Sequence, residues 1–168
     1  MFMNLNKELM YYDITSLGKT KKICKKCKEM KQAVVECHNI DKISNIRNQA
    51  EAYRYALKQA KESPEVIRKA EEIKLRAERR AGELLKETPK AKGNQYSANS
   101  KPTSEQKLSD MGISYDQSSM WQKIANIPEE KFENYLEVEK ELSTSGAIRV
   151  ARQIERQEKI EEIKKSNP

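Results

Sequence analysis

Hydrophobic positions along this chain recur at helical spacing, and no strand-type alternation persists. The clearest seam joins Ile43, Ile46, Ala50, Tyr53, Leu57 and Ala60 in alternating three- and four-residue steps, the a/d pattern of a helix that lays one stripe on a partner. Ser63-Pro64-Glu65 then stops that helix and starts another: Ser in the N-cap position, Pro first in the helix, an acid in its first turn. A second stripe follows at Val66, Ala70, Ile73, Ala77, Ala81 and Leu84. The alanines in both stripes favour close helix–helix approach. A short break between two long helices predicts an α-hairpin, with a coiled coil between two chains as the alternative. Either way, so thin a stripe needs cover from another helix or from a second copy of the chain.

Ahead of the hairpin, a helix is expected from near Thr20 to about Cys37, with Met30, Ala33, Val34 and Cys37 on one side. After it, Thr88–Pro102 holds two prolines, a glycine, three lysines and no acid, the composition of a linker. Thr103-Ser104-Glu105 reads as a capped helix start. The stretch Leu108-Ser-Asp-Met-Gly-Ile-Ser-Tyr-Asp-Gln-Ser-Ser-Met-Trp-Gln-Lys-Ile124 then describes one helix ending in a glycine turn and a second helix crossing it. That is the sequence form of a helix-turn-helix. Trp121 and Ile124 belong to its core. Ile127-Pro128-Glu129-Glu130 separates a further helix carrying Phe132, Tyr135 and Leu136, and Ser143 or Thr144 caps a last one carrying Ile148, Ala151 or Arg152, and Ile154.

The expected fold is all-α: a long helical hairpin or coiled-coil arm followed by a small helix-turn-helix domain. The division is a basic N-terminal segment (1–39), the hairpin (40–87), a linker (88–102), the helix-turn-helix domain (103–155) and a charged helical tail (156–168). Composition agrees, with 36% hydrophobic and 35% charged residues, and glycine and proline at five each; elongated helices with thin seams fit this better than a thick core. No purely apolar run, tyrosine excluded, exceeds the three residues of Ala33-Val34-Val35, far short of the roughly 20 residues a bilayer needs. The N-terminus lacks the layout of a secretory signal, and three cysteines without one suggest a reduced, cytoplasmic setting.

The net charge is +7, but residues 128–168 carry eight basic residues against ten acids, so the excess lies earlier. Residues 1–40 carry eight lysines against four acids. A basic chain with a helix-turn-helix has the electrostatics expected for nucleic acid.

Two blocks together carry a resemblance. Ala70-Glu-Glu-Ile-Lys-Leu-Arg-Ala-Glu-Arg-Arg-Ala-Gly-Glu-Leu-Leu85, followed after a polar linker by Leu108–Lys123, resembles a widespread group of bacterial proteins found on prophages and other mobile elements. Ile127-Pro-Glu-Glu, continuing to Leu142-Ser-Thr-Ser-Gly-Ala-Ile-Arg149, is similar to the segment after the same motif in plasmid-partition proteins of the ParB type. The resemblance covers roughly two thirds of the chain and implies DNA binding and regulation. One departure bears on that implication. Members place a basic residue ahead of the tryptophan, in a Gln-Ser-Ser-Arg-Trp-Gln string, where this chain has Met120.

The residues expected to meet double-stranded DNA are Tyr115, Gln117, Ser118, Ser119, Met120, Gln122 and Lys123 on the second helix, with Lys107 and Lys101 beside it. Gln pairs bidentately with adenine, Ser bonds base or phosphate, and Tyr bonds phosphate. Only Lys123 is cationic on that helix and Asp116 repels phosphate. Most affinity would therefore come from Lys90, Lys92, Lys101, Lys107 and the N-terminal arm. The reading is a dimeric, sequence-specific regulator of a phage or mobile element. Its alternative is a phage or mobile-element protein that binds and inhibits a host protein, for example a defence-system component, through the Tyr115 and Met120 surface.

Other chemistry finds less support. Cys24, Cys27, Cys37 and His38 suggest a zinc set, yet on a continuous helix Cys37 lies roughly 15 Å beyond Cys27, so partly buried thiols are expected and no metal. Gly18-Lys19-Thr20 lacks the first glycine of a phosphate-binding loop, since residue 13 is Asp13. The arginines at 76, 79 and 80 have acids three or four residues away, Glu72 and Glu83 among them, and read as a salt-bridged surface. The sole histidine, His38, has no evident nucleophile to serve, so neither catalysis nor a cofactor is expected.

Overall fold

The computed structural model describes residues 22–23, 25–88 and 108–166. The chain is all-α, with six helices and no strand among these residues. They are α1 (22–35, residue 24 lying outside the described set), α2 (Ile40–Gln59), α3 (Pro64–Glu87), α4 (Tyr115–Ala125), α5 (Glu129–Val138) and α6 (Thr144–Ser166). The expected linker beyond Thr88 and the helix start at Thr103-Ser104-Glu105 lie outside the described residues. Among the described residues, no helix is long and apolar enough to cross a membrane.

Helices α2 and α3 form the hairpin within one chain. Ion pairs run Arg54–Glu71 at 3.5 Å, Glu51–Lys74 at 2.9 Å and Arg47–Glu78 at 3.1 Å, numbers rising on one helix as they fall on the other, so the two are antiparallel. Ile43, Ala50 and Leu57 are buried along the α2 seam, with Ile46 and Tyr53 half-buried. Ala60, expected to extend that seam, is instead the exposed C-cap. Lys61 follows in the left-handed region with φ 53. Its amide bonds the Lys58 carbonyl while the Glu62 amide reaches back to Leu57, the paired closure of a Schellman ending that glycine usually makes. Pro64 opens α3 as predicted, but Ser63 makes no side-chain capping bond.

Helix α3 is the centre of the molecule. Its predicted stripe (Val66, Ala70, Ile73, Ala77, Ala81 and Leu84) is wholly buried. So are Leu75, Glu78, Gly82 and Leu85, which lie on other sides of the same helix. The reason is that three neighbours wrap it. One is α2, and another is α1, whose Cys27, Met30 and Val34 share a core with Ile43, Ala50, Ile73 and Ala77. The third is the α4–α6 set, where Leu75 joins Ile124, Ile127, Phe132, Tyr135, Leu136, Leu142, Ala147, Ile148 and Ala151. Each fully buried large apolar side chain here stabilises the fold by roughly 1.5–3 kcal/mol. The cover that the thin stripe requires is thus supplied by the same chain.

The arginines of α3 are interface residues, not the solvated row that their spacing suggests. The intrahelical pairs exist, as in Arg76–Glu72 at 2.8 Å and Arg79–Glu83 at 3.3 Å. Yet Arg76 also grips Glu133 of α5 with both terminal nitrogens, at 2.5 and 2.7 Å. Arg79 bonds Glu129 at 2.8 Å and lies 4.7 Å over the Phe132 ring. Arg80 reaches the Cys37 carbonyl at 3.0 Å and His38 Nδ1 at 2.9 Å. Arg68 donates to the carbonyls of Leu136, Glu137 and Glu139, a cation closing the C-terminal end of α5.

Candidate nucleic-acid interface

Helix α4 is set by three local devices. First, the chain before it closes as α2 does: the Ile113 amide bonds the Leu108 carbonyl at 3.0 Å and the Gly112 amide bonds Ser109 at 3.1 Å. Gly112 takes φ +64, so the glycine turn read from the sequence is the C-terminal closure of a helical turn. Second, Ser114 caps α4 through a capping box: its hydroxyl accepts from the Gln117 amide at 3.1 Å, and the Gln117 carboxamide oxygen accepts from the Ser114 amide at 3.0 Å. Third, Trp121 and Ile124 are buried as expected. There α3 and α4 touch backbone to backbone, since a Cβ on Gly82 would stand 2.0 Å from the Trp121 carbonyl oxygen.

The expected contact residues fall into three groups. Tyr115 is 81% exposed at the first turn of α4. Ser119 and Lys123 follow it at four-residue steps on the same side and are half-buried, and Lys123 makes no ion pair among the described residues. These three, with exposed Asp116, form a coherent outward face. The second group is committed elsewhere. Gln117 is held in the capping box, and Ser118 is 4% exposed and accepts a hydrogen bond from Gln122 Nε2 at 2.9 Å. Met120, expected on the outer face, is half-buried against the core shared by α3, α4, α5 and α6, against which Val150 and Ile154 also pack. A helix of eleven residues wedged between α3 and α6 keeps only a narrow strip facing outward, and that is why the sequence reading of its outer face is too wide. The third group, Lys101 and Lys107, lies outside the described residues, as do Lys90 and Lys92.

Comparison with protein-family models, with curated proteins and with solved structures finds no match to this chain.

Two features escape the sequence reading. Glu78 is 0% exposed: its carboxylate accepts from Arg47 Nε at 3.1 Å and from the Thr144 hydroxyl at 2.8 Å, with Lys74 Nζ 3.9 Å away. It joins α2, α3 and the start of α6, and nothing in a charged helical row marks one acid as interior. The second is the clamp on the α5–α6 turn. The Tyr135 hydroxyl donates to the Ser143 carbonyl at 3.1 Å and accepts from its amide at 3.2 Å, while Ser143 Oγ takes the Gly146 amide at 3.0 Å, fixing Ser143 as the cap.

The thiols of Cys27 and Cys37 are buried, and Cys37 Sγ donates to the Asn39 carbonyl at 3.3 Å. Among the described residues no group of three or more His, Cys, Asp or Glu could hold a metal ion; Cys24 lies outside them. The strongest electrostatic perturbations are also structural. The Arg54 hydrogen bonds hold Glu51 down to about 2, aided by Lys74 against the opposing effect of burial. Burial pushes Glu72 up, yet the bonds from Lys31 and Arg76 prevail and its carboxyl is lowered. Arg76 itself is raised, as Glu133 and Glu72 outweigh its burial.

Proposed function

We propose that this chain is a cytoplasmic, dimeric DNA-binding regulator of a phage or mobile element that presents the Tyr115–Ser119–Lys123 strip of α4 to a major groove. The observation that carries this reading is the combination at α4: a glycine-closed turn, a capped and exposed first turn, and an inner face seated immovably on α3. Such a helix is held rigid while its N-terminal residues stand outward, as a reading helix requires. Dimerisation adds a second reading head, because one small head rarely gives adequate specificity. The 40–87 seam closes within the chain, so the two copies would meet through another surface.

The test is fluorescence anisotropy against the duplex upstream of the chain's own gene. Binding on the order of nanomolar at physiological salt is expected, weakening steeply as salt rises. Tyr115→Ala and Lys123→Gln are expected to weaken it and to relax sequence preference. Absence of any salt-sensitive complex with that duplex would sink the proposal.

A second reading, binding and inhibition of a host protein, is favoured by one observation: the outward strip of α4 holds a single cation beside a largely exposed tyrosine. Under that reading, tagged chain retains a stoichiometric partner in nuclease-treated lysate, and Tyr115→Ala releases it.

A further inference from the structure

The most basic described surface is not on α4. Helix α1 carries Lys22, Lys25, Lys26, Lys28 and Lys31, all exposed, while its Cys27, Met30 and Val34 are buried. Lys31 is neutralised by Glu72 at 2.8 Å. Lys25 has only a 4.0 Å contact with Glu29, both side chains well exposed. Lys22, Lys26 and Lys28 make no ion pair among the described residues. Beside this row, α1 and α3 enclose a cleft of about 370 Å³ lined by Cys27, Lys28, Lys31, Lys69, Glu72 and Ile73. Lys28 therefore belongs to both the outward row and the cleft.

The geometry points to the outward face of α1 as a second contact surface, one that takes the phosphodiester backbone of nucleic acid independently of base sequence. From residue 22 to 28 the helix rises about 9 Å. Duplex DNA presents about one negative charge per 1.7 Å of its axis, so about five phosphates lie along that length. The inner side of α1 is fixed in the core, which sets the helix, and with it the stems of the lysines, at a constant place on the surface. An anionic membrane is the less suitable partner: the exposed side of α1 offers one large apolar residue, Val35, too little to insert into the headgroup layer. This inference rests on the DNA-binding reading and extends it, separating affinity on α1 from discrimination on α4.

The experiment compares wild type with the quadruple variant Lys22→Gln, Lys25→Gln, Lys26→Gln, Lys28→Gln on the upstream duplex and on an unrelated duplex. Its fold is checked by circular dichroism, and four Lys→Arg changes at the same positions serve as the charge-retaining control. The expected result is on the order of 30-fold weaker binding to both duplexes, with the slope of log affinity against log salt reduced by roughly three to four. The arginine control binds as wild type does. Equal affinity and equal slope for wild type and the glutamine variant would overturn this inference and leave the α4 reading standing. Lysine-dependent binding that ignores sequence supports it and removes the sequence-specific regulator. No binding to either duplex overturns both. Lysine-dependent sedimentation with vesicles rich in anionic lipid, without duplex binding, assigns the row to a membrane and overturns it. Displacement of the duplex by millimolar pyrophosphate at constant ionic strength gives the cleft to a small phosphate and overturns it too.

Discussion

On one side α3 meets α4 backbone to backbone, at Gly82 and the Trp121 carbonyl. On another it meets α2 across a seam of alanines flanked by a ladder of ion pairs, Arg54–Glu71, Glu51–Lys74 and Arg47–Glu78. The first contact is one of shape and tolerates no added atom, because the neighbour is main chain and cannot swing away. The second is made by long side chains, all but Glu78 at partly exposed positions where they can re-aim or find water. The same helix thus depends steeply on a single position on one side and shallowly on many on the other.

The largest expected effect follows from breaking the first contact. Gly82→Ala places a Cβ 2.0 Å from a carbonyl oxygen and forces the helices apart, at a cost of about 3 kcal/mol. A melting temperature lowered on the order of 10 °C is expected; a change within one or two degrees would show that the two backbones are not in contact. Next comes Glu78, which belongs to both sides through Arg47 and Thr144. Glu78→Ala leaves the Thr144 hydroxyl and the Arg47 Nε without their acceptor and is expected to cost about 2 kcal/mol in denaturant titration.

Acid sharpens the contrast on the ladder side. Glu51 is held from 4.5 down to about 2; outside the ladder, Glu72 and Glu133, which pair with Arg76, are lowered as well. A carboxylate whose folded value lies below its unfolded one contributes fully above the unfolded value, and that contribution is lost as pH falls through the folded value. The melting temperature is therefore expected to hold from pH 7 to about 5 and to decline between about 4.5 and 2. Glu51→Gln should flatten part of that decline while costing only about 0.5 kcal/mol at neutral pH. An acid profile identical to wild type would remove the ladder from the account.

The remaining effect has the opposite sign. Lys61 and Gly112 occupy equivalent left-handed positions in two turns closed by the same pair of backbone bonds, yet only one is glycine. Lys61→Gly is expected to stabilise the chain by about 1 kcal/mol, read as a higher denaturation midpoint with unchanged m-value.

Much of the fold could be read from spacing. Both hairpin stripes, the Pro64 start, the Gly112 turn and the interior placement of Trp121 and Ile124 follow from periodicity and capping, which act over a few residues. What spacing could not supply is the second and third neighbour of α3. Leu75 and Leu85 sit among charges, Glu78 is indistinguishable from Glu71 or Glu72 in the string, and Gly82 gives no sign of the carbonyl that crosses it. The candidate interface was misjudged for the same reason. Met120 is outward on an isolated helix, and only the neighbouring helices take it out of reach, whereas Ser118, three residues before Trp121, shares the inner face by spacing alone.

Because α3 is enclosed from three directions, the hairpin is not an autonomous unit despite its tidy sequence boundaries. A fragment ending at Thr88 would lay bare Leu75, Gly82 and Leu85 as a wet apolar strip on its central helix, and such a truncation would self-associate instead of behaving as a well-mannered arm.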